Sequence, residues 1–240
     1  MRAILAIAVA LMLVLAGPAL ASVTVSNTAP TTDIKASQAN YGGTEAGSGN
    51  GYDLQNRSGA FRTAGQIFTA ETTFNLTAIT LGYVTESTRL SPMPLTLNLY
   101  EAAAANGDAP VGAILRTLSG TLAYAAGVQY VTFDVADIVV EAGKFYGFEI
   151  TIDGPVGGTK RFGDPGFLLN DPLLGYDAYT GGVPIRRVAT SPATATTYTH
   201  NDESDLVFFV QGTDVADVPE PVTMSLLCLG AVGVLARRRK

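Results

Sequence analysis

The clearest pattern along the chain has a period of two. Leu95, Leu97 and Leu99 fall on one side of an extended backbone, with Thr96, Asn98 and Tyr100 on the other. Val131, Phe133 and Val135 alternate with Thr132 and Asp134; Tyr146, Phe148, Ile150 and Ile152 alternate with Gly147, Glu149 and Thr151. Successive side chains of a strand point to opposite faces, so each run reads as a strand with one buried face. Residues 66–70, 76–83, 114–118 and 206–211 are strands on the same grounds. The parity slips between Leu76 and Ile79, which predicts a bulge or a break. Turn formers separate the runs, as in Glu141-Ala142-Gly143-Lys144. Residues 101–105 have helical composition, but Asn106-Gly107-Asp108 cuts the run short. Many short alternating strands without helices predict an all-β domain over 61–213, a β-sandwich whose sheets hide one face each against the other.

Two stretches break this rhythm. Residues 22–60 are rich in Thr, Ser, Gly and Asn, with Gly42-Gly43 and Gly47-Ser48-Gly49-Asn50-Gly51 as turn-prone pieces. They read as a flexible arm with one strand near residues 23–25. Residues 153–200 hold Gly157-Gly158, Asp164-Pro165-Gly166, Asn170-Asp171-Pro172 and Gly181-Gly182, and they collect much of the aromatic and charged chemistry. An irregular stretch of that length implies short strands or a functional loop.

The two ends follow other rules. Met1-Arg2, an apolar core over 3–15, Gly17-Pro18 and the small-x-small sequence Ala19-Leu20-Ala21 read as a secretory signal peptide over 1–21. Such a leader engages the Sec translocon and is cut by signal peptidase, here with Ser22 as the new N-terminus. A retained N-terminal anchor is the alternative. After a short linker, 214–218, the segment 219–240 opens with Pro219-Glu220-Pro221. It continues as an uncharged run over 222–236 and closes with Arg237-Arg238-Arg239-Lys240. As a helix the run covers roughly 23 Å, short of a hydrocarbon layer of about 30 Å. Snorkelling of Arg237 and local thinning of the bilayer make up the shortfall. A single C-terminal transmembrane helix follows, with its basic end in the cytoplasm and everything before Pro219 outside the inner membrane. A buried terminal helix of the domain is the competing explanation.

Pro-Glu-Pro, an apolar segment and an Arg-rich end, in that order, resemble the PEP-CTERM sorting signal of Gram-negative bacteria that make extracellular polysaccharide. The resemblance implies recognition and cleavage at Pro219, Glu220 and Pro221 by an exosortase, a membrane-embedded cysteine transpeptidase. It implies stalling in the bilayer for 222–236 and topology for Arg237, Arg238, Arg239 and Lys240. The strand order from Gly65-Gln66-Ile67-Phe68 to Asp205-Leu206-Val207-Phe208-Phe209-Val210 resembles the jelly-roll modules found upstream of bacterial anchoring signals, which look like carbohydrate-binding modules. That likeness implies a jelly-roll-like sandwich and association with exopolysaccharide.

Charge and composition narrow the function. Residues 22–218 carry ten basic and 20 acidic side chains, a formal charge near −10, which argues against nucleic acid or anionic lipid as a partner. Cys228, the only cysteine, sits in the apolar tail, so no disulfide forms within the chain. It reads as a small apolar residue, with lipid attachment as the alternative.

Candidate glycan contacts are Arg161, Phe162, Tyr176, Asp177 and Tyr179, which combine flat apolar faces with hydrogen-bonding groups. The chain has no Trp, and the same aromatics suit packing over the sandwich edge. Calcium is a candidate structural ion at Asp164, Asn170, Asp171 and Asp177, with a second acidic cluster at Asn201-Asp202-Glu203-Ser204-Asp205. Neither cluster has the ligand spacing of an EF-hand, and exposed acidic turns are the other explanation. No catalytic residues are assigned and no other cofactor is implied. His200 is the only histidine, which leaves no multi-histidine zinc site, and no Gly-x-Ser-x-Gly turn is present. The expectation is a non-enzymatic exported surface or matrix protein; a binding module and a secreted hydrolase are the alternatives.

Overall fold

The computed structural model describes residues 23–39, 51–57, 59–84, 93–105, 113–122, 127–152, 166–168, 179–194, 198–200 and 205–215. These residues form strands in two sheets, numbered here in chain order, and every pairing is antiparallel. One sheet runs β1 (Val23–Ser26), β10 (Val128–Val140), β7 (Phe74–Val84). Beyond β7 lie β15 (Phe208–Asp214), backed by β2 (Ile34–Gln38), and β12 (Gly166–Leu168), backed by β3 (Gly51–Asp53). The other sheet runs β4 (Gln55–Arg57), β5 (Ala60–Arg62), β13 (Pro184–Ala189), β6 (Ala64–Thr69), β11 (Phe145–Ile152), β8 (Met93–Ala102), β9 (Ile114–Leu122), with β14 (Tyr198–His200) also on β13. Among the described residues the only helical piece is a 3-10 turn at Pro192–Thr194. The architecture is the β-sandwich that the alternation predicts.

The core is the sum of the two inward parities. Leu95, Leu97, Leu99, Phe68, Tyr146, Phe148 and Ile150 of one sheet meet Leu76, Ile79, Leu81, Val131, Phe133, Phe208 and Val210 of the other. Phe148 and Phe208 face each other between the sheets with ring centroids 6.1 Å apart. Burying one such side chain stabilises the fold by roughly 1.5–3 kcal/mol. One lateral edge is closed by β1 over β9, where a Cβ on Gly120 would lie 2.1 Å from Val23 Cγ2.

The parity slip in β7 is a bulge. Leu76 and Ile79 are both fully buried although three residues apart. Thr77 between them has no register partner: β10 jumps from Asp134 to Ile138 and β15 from Gln211 to Gly212 across it. On β10 the jump is taken up at Asp137, whose φ of 52° is left-handed, a conformation that aspartate tolerates better than branched residues.

The region 22–60 departs from expectation. It is not a flexible arm over its described part: β1 pairs with β10, β2 with β15, β3 with β12, and β4 with β5. Ala36, Gln38, Leu54 and Gln55 are buried there. These strands are short and made of small or polar residues, so their stability comes from partners far along the chain and not from local alternation. The sandwich therefore starts at Val23 and its last strand ends at Asp214, wider than 61–213.

The sheets share two distinct ends. At one, the turn 70–73 joins β6 to β7 and the turn 141–144 joins β10 to β11. Gly143 N donates to Ala70 O at 2.7 Å, Ala70 N to Lys144 O at 3.0 Å, and Ala142 N to Thr73 Oγ1 at 3.0 Å. Gly143 has φ 79°, the reason a glycine stands in that turn. The last strand finishes at this same end, because Asp214 pairs with Phe74. The opposite end carries Val84, Val128, Leu122, Met93, Ile152 and Gly166. Within β6, Gly65 is crowded: a Cβ would lie 2.3 Å from Phe148 O and 2.9 Å from Ile185 Cγ1. Gly65→Ala should cost about 1–3 kcal/mol in urea unfolding, because backbone must move to admit the methyl. A variant as stable as wild type would contradict this packing.

Candidate functional site

The last described strand before the tail is β15. β15 is an interior strand, paired with β7 on one side and β2 on the other. Phe208 and Val210 point into the core, while Val207 and Phe209 join Tyr130, Val128 and Ala29 on the outer face, with Phe209 and Tyr130 edge to face at 6.0 Å. Its end is secured separately. Gly212 N donates to Asp33 O at 2.9 Å, and Lys35 Nζ forms an ion pair with the Asp214 carboxylate. The Lys35 ammonium also lies 5.9 Å from the centre of the Phe74 ring. Val215 follows, 36 % exposed. The chain thus leaves a tightly held strand four residues before Pro219.

Residues 217–240 match the PEP-CTERM protein-sorting motif. That motif contains Pro219, Glu220, Pro221 and the basic end Arg237 to Lys240. It implies an exported protein that an exosortase sorts and that is held at the membrane before it is cut. No curated protein matches the chain. The sorting residues themselves, the leader with Ala19, Ala21 and Ser22, and the apolar run 222–236 lie outside the described residues. Among the described residues no helix is long and apolar enough to cross a membrane.

Of the candidate glycan contacts and the first acidic cluster, Tyr179 is the one described. Its ring stands edge-on against Phe208, with centroids 5.2 Å apart, and packs on the core. Its hydroxyl accepts a hydrogen bond from Thr69 N at 3.3 Å, and burial raises its pKa while that bond opposes the rise. This is the edge-packing arrangement that the sequence left open for the loop aromatics. Arg161, Phe162, Tyr176, Asp177, Asp164, Asn170 and Asp171 lie outside the described residues. The strand ends that bracket 153–165, Ile152 and Gly166, are at the end of the sandwich opposite Asp214. His200 is on β14, in register with Ile185.

Two polar groupings escaped the sequence reading. Asp205, the last member of the second acidic cluster, is 2 % exposed. Its Oδ1 accepts from Gln66 Nε2 at 2.6 Å and its Oδ2 from Tyr179 N at 2.7 Å, while Leu206 N donates to Gln66 Oε1 at 3.1 Å. This carboxylate holds the start of β15 against β6 and the 179–183 connection. Burial pushes its carboxyl up to about 6, against the pull of the Gln66 and Tyr179 hydrogen bonds. The signal in the sequence was Gln66, a polar residue on the inward parity of an apolar strand.

The second grouping lies on the outer face of the β6 sheet. Arg187 Nε and Nη2 donate to Glu149 Oε1 and Oε2, both at 2.6 Å, and the guanidinium lies 5.6 Å from the centre of the Phe61 ring. Period-two alternation assigns Glu149 to the outer face, yet it is 3 % exposed, because Arg187 covers it. Among the described residues no group of three or more His, Cys, Asp or Glu side chains is placed to hold a metal ion.

Proposed function

We propose that this is a non-enzymatic surface or matrix protein. A leader over 1–21 exports it; a membrane helix over 222–236, with Arg237 to Lys240 in the cytoplasm, holds it; and an exosortase cuts it at Pro219-Glu220-Pro221. The released body is a jelly-roll-like sandwich that associates with exopolysaccharide outside the cell. The observation that carries this reading is the direct run of β15 into the sorting motif at 217–240. A folded body joined to a sorting signal with almost no linker suits a module built for display. The intact mass of surface-extracted protein tests the reading: the expected form begins at Ser22 and ends near Pro219-Glu220-Pro221. Recovery only of a form that still ends at Lys240 would overturn processing.

A carbohydrate- or calcium-dependent binding role is the second reading. What favours it is the position of the strand ends around 153–165, away from the exit of the tail. Arg161, Phe162, Tyr176 and Asp177 are its candidate contacts; Tyr179 is committed to Phe208 and Thr69 and contributes through packing. Tyr176→Ala should weaken glycan-array binding at least about tenfold, the loss of one stacked ring. Unchanged binding would remove Tyr176 from the site, and binding insensitive to chelator would remove calcium.

A further inference from the structure

We propose that, in the membrane-anchored form, the sandwich stands on the end that carries the turns 70–73 and 141–144, with that end facing the lipid head groups and the opposite end directed outward. The proposal rests on the anchoring reading above and adds the surface that meets the bilayer.

The argument is one of reach. Val215 is the last residue beyond the secured end of β15, and the apolar run starts at Val222. Seven extended residues span at most about 25 Å, of which the head-group layer takes up roughly 5–7 Å. β7 alone, the 11-residue strand that pairs along β15, is about 37 Å long at 3.4 Å per residue. Inverting the body would lift Asp214 by that length above the bilayer, farther than the linker can stretch. The far end, with the strand ends around 153–165, is therefore held away from the membrane.

Attraction is not what holds the near end down. Asp33, Glu71, Glu141 and Asp214 are exposed there, with Lys144 as the accessible cation. Anionic head groups repel such a surface, so the contact is imposed by the linker. The binding of Lys35 to Asp214 and of Gly212 to Asp33 matters for the same reason, because fraying of β15 would lengthen the linker.

The test uses the full chain with Cys228→Ser and one new cysteine, either Glu71→Cys at the near end or Thr121→Cys at the far end; both positions are exposed. A fluorophore on that cysteine is read in neutral phosphatidylcholine vesicles containing a head-group quencher, after flotation establishes insertion. The expected result is quenching several-fold stronger at position 71 than at 121. A long Gly/Ser insertion after Asp217 should bring the two together. Equal quenching in the floated protein, or stronger quenching at 121, overturns the proposed orientation and leaves anchoring intact. Failure to float overturns the anchoring reading and this proposal with it.

Discussion

Replacing Arg187 with methionine is expected to destabilise the sandwich by about 3–5 kcal/mol, the usual cost of removing one member of a buried ion pair. The Glu149 carboxylate is almost wholly out of water and takes two short bonds from one guanidinium. Loss of that fork strips both of these bonds from an almost wholly buried carboxylate. The main chain at Arg187 is held independently: Arg187 N donates to Thr63 Oγ1 at 2.9 Å and Thr63 N to Arg187 O at 3.1 Å. The substitution thus probes the side-chain pair more than the strand. For the same reason, the double variant E149L/R187M should lose less than R187M alone, since an apolar pair of similar volume has no charge to desolvate. Urea unfolding of the released body measures both. A single-variant loss below about 1 kcal/mol, the range of exposed pairs, would show that Glu149 is hydrated after all. The pair ties β11 to β13 across β6, with side-chain-free Gly65 between them. It therefore fixes the register of β13 against β11 in a sheet that ends on the three-residue strand β4.

How far the sequence reveals such features depends on the range of the interaction. Leu95 to Tyr100 and Tyr146 to Ile152 declare themselves because the pleat itself imposes the alternation, whatever they pair with. The β7 bulge is equally local: two buried residues three apart cannot share one face of a regular strand. β2 through β5 are invisible by the same logic, because Ser37 or Asn56 becomes a strand residue only through Phe209 or Phe61 opposite. The sorting motif is legible without any fold, being a linear order of imide rings, apolar run and cations. Residue type marks the ligand candidates, but type does not say what a ring touches: Tyr179 belongs to Phe208, distant in sequence. Glu149 shows the limit of parity arguments, which place a side chain on a face but do not say what lies over it.

Between about pH 4 and about pH 7.5 the released body should lose roughly 2–3 kcal/mol of stability through Asp205 alone. Its carboxyl is raised from the ordinary 3.8 to about 6, mainly by burial. An acid with a folded pKa above its unfolded value holds more protons in the folded state between the two. Folding is then favoured at low pH, where the group is neutral in both states. The penalty grows as pH rises from 3.8 and is complete above about 6. This is opposite to the salt-bridged carboxylate, which stabilises as it ionises. Asp205→Asn removes the titration but retains a polar side chain against Gln66 and the Tyr179 amide. Whatever fixed cost the amide carries, the gap between variant and wild type should move in favour of the variant as pH rises. For a domain of this size, 2–3 kcal/mol corresponds to roughly 4–12 °C in melting temperature. Thermal melts of both proteins across that interval provide the check. Parallel profiles would mean that the Asp205 carboxylate ionises as freely in the folded protein as in the unfolded chain. Divergence in the opposite sense would mean that the Gln66 and Tyr179 hydrogen bonds outweigh burial. Because Asp205 lies three residues before β15, the strand that precedes the sorting motif, the same titration makes the hold on that strand firmest in acid.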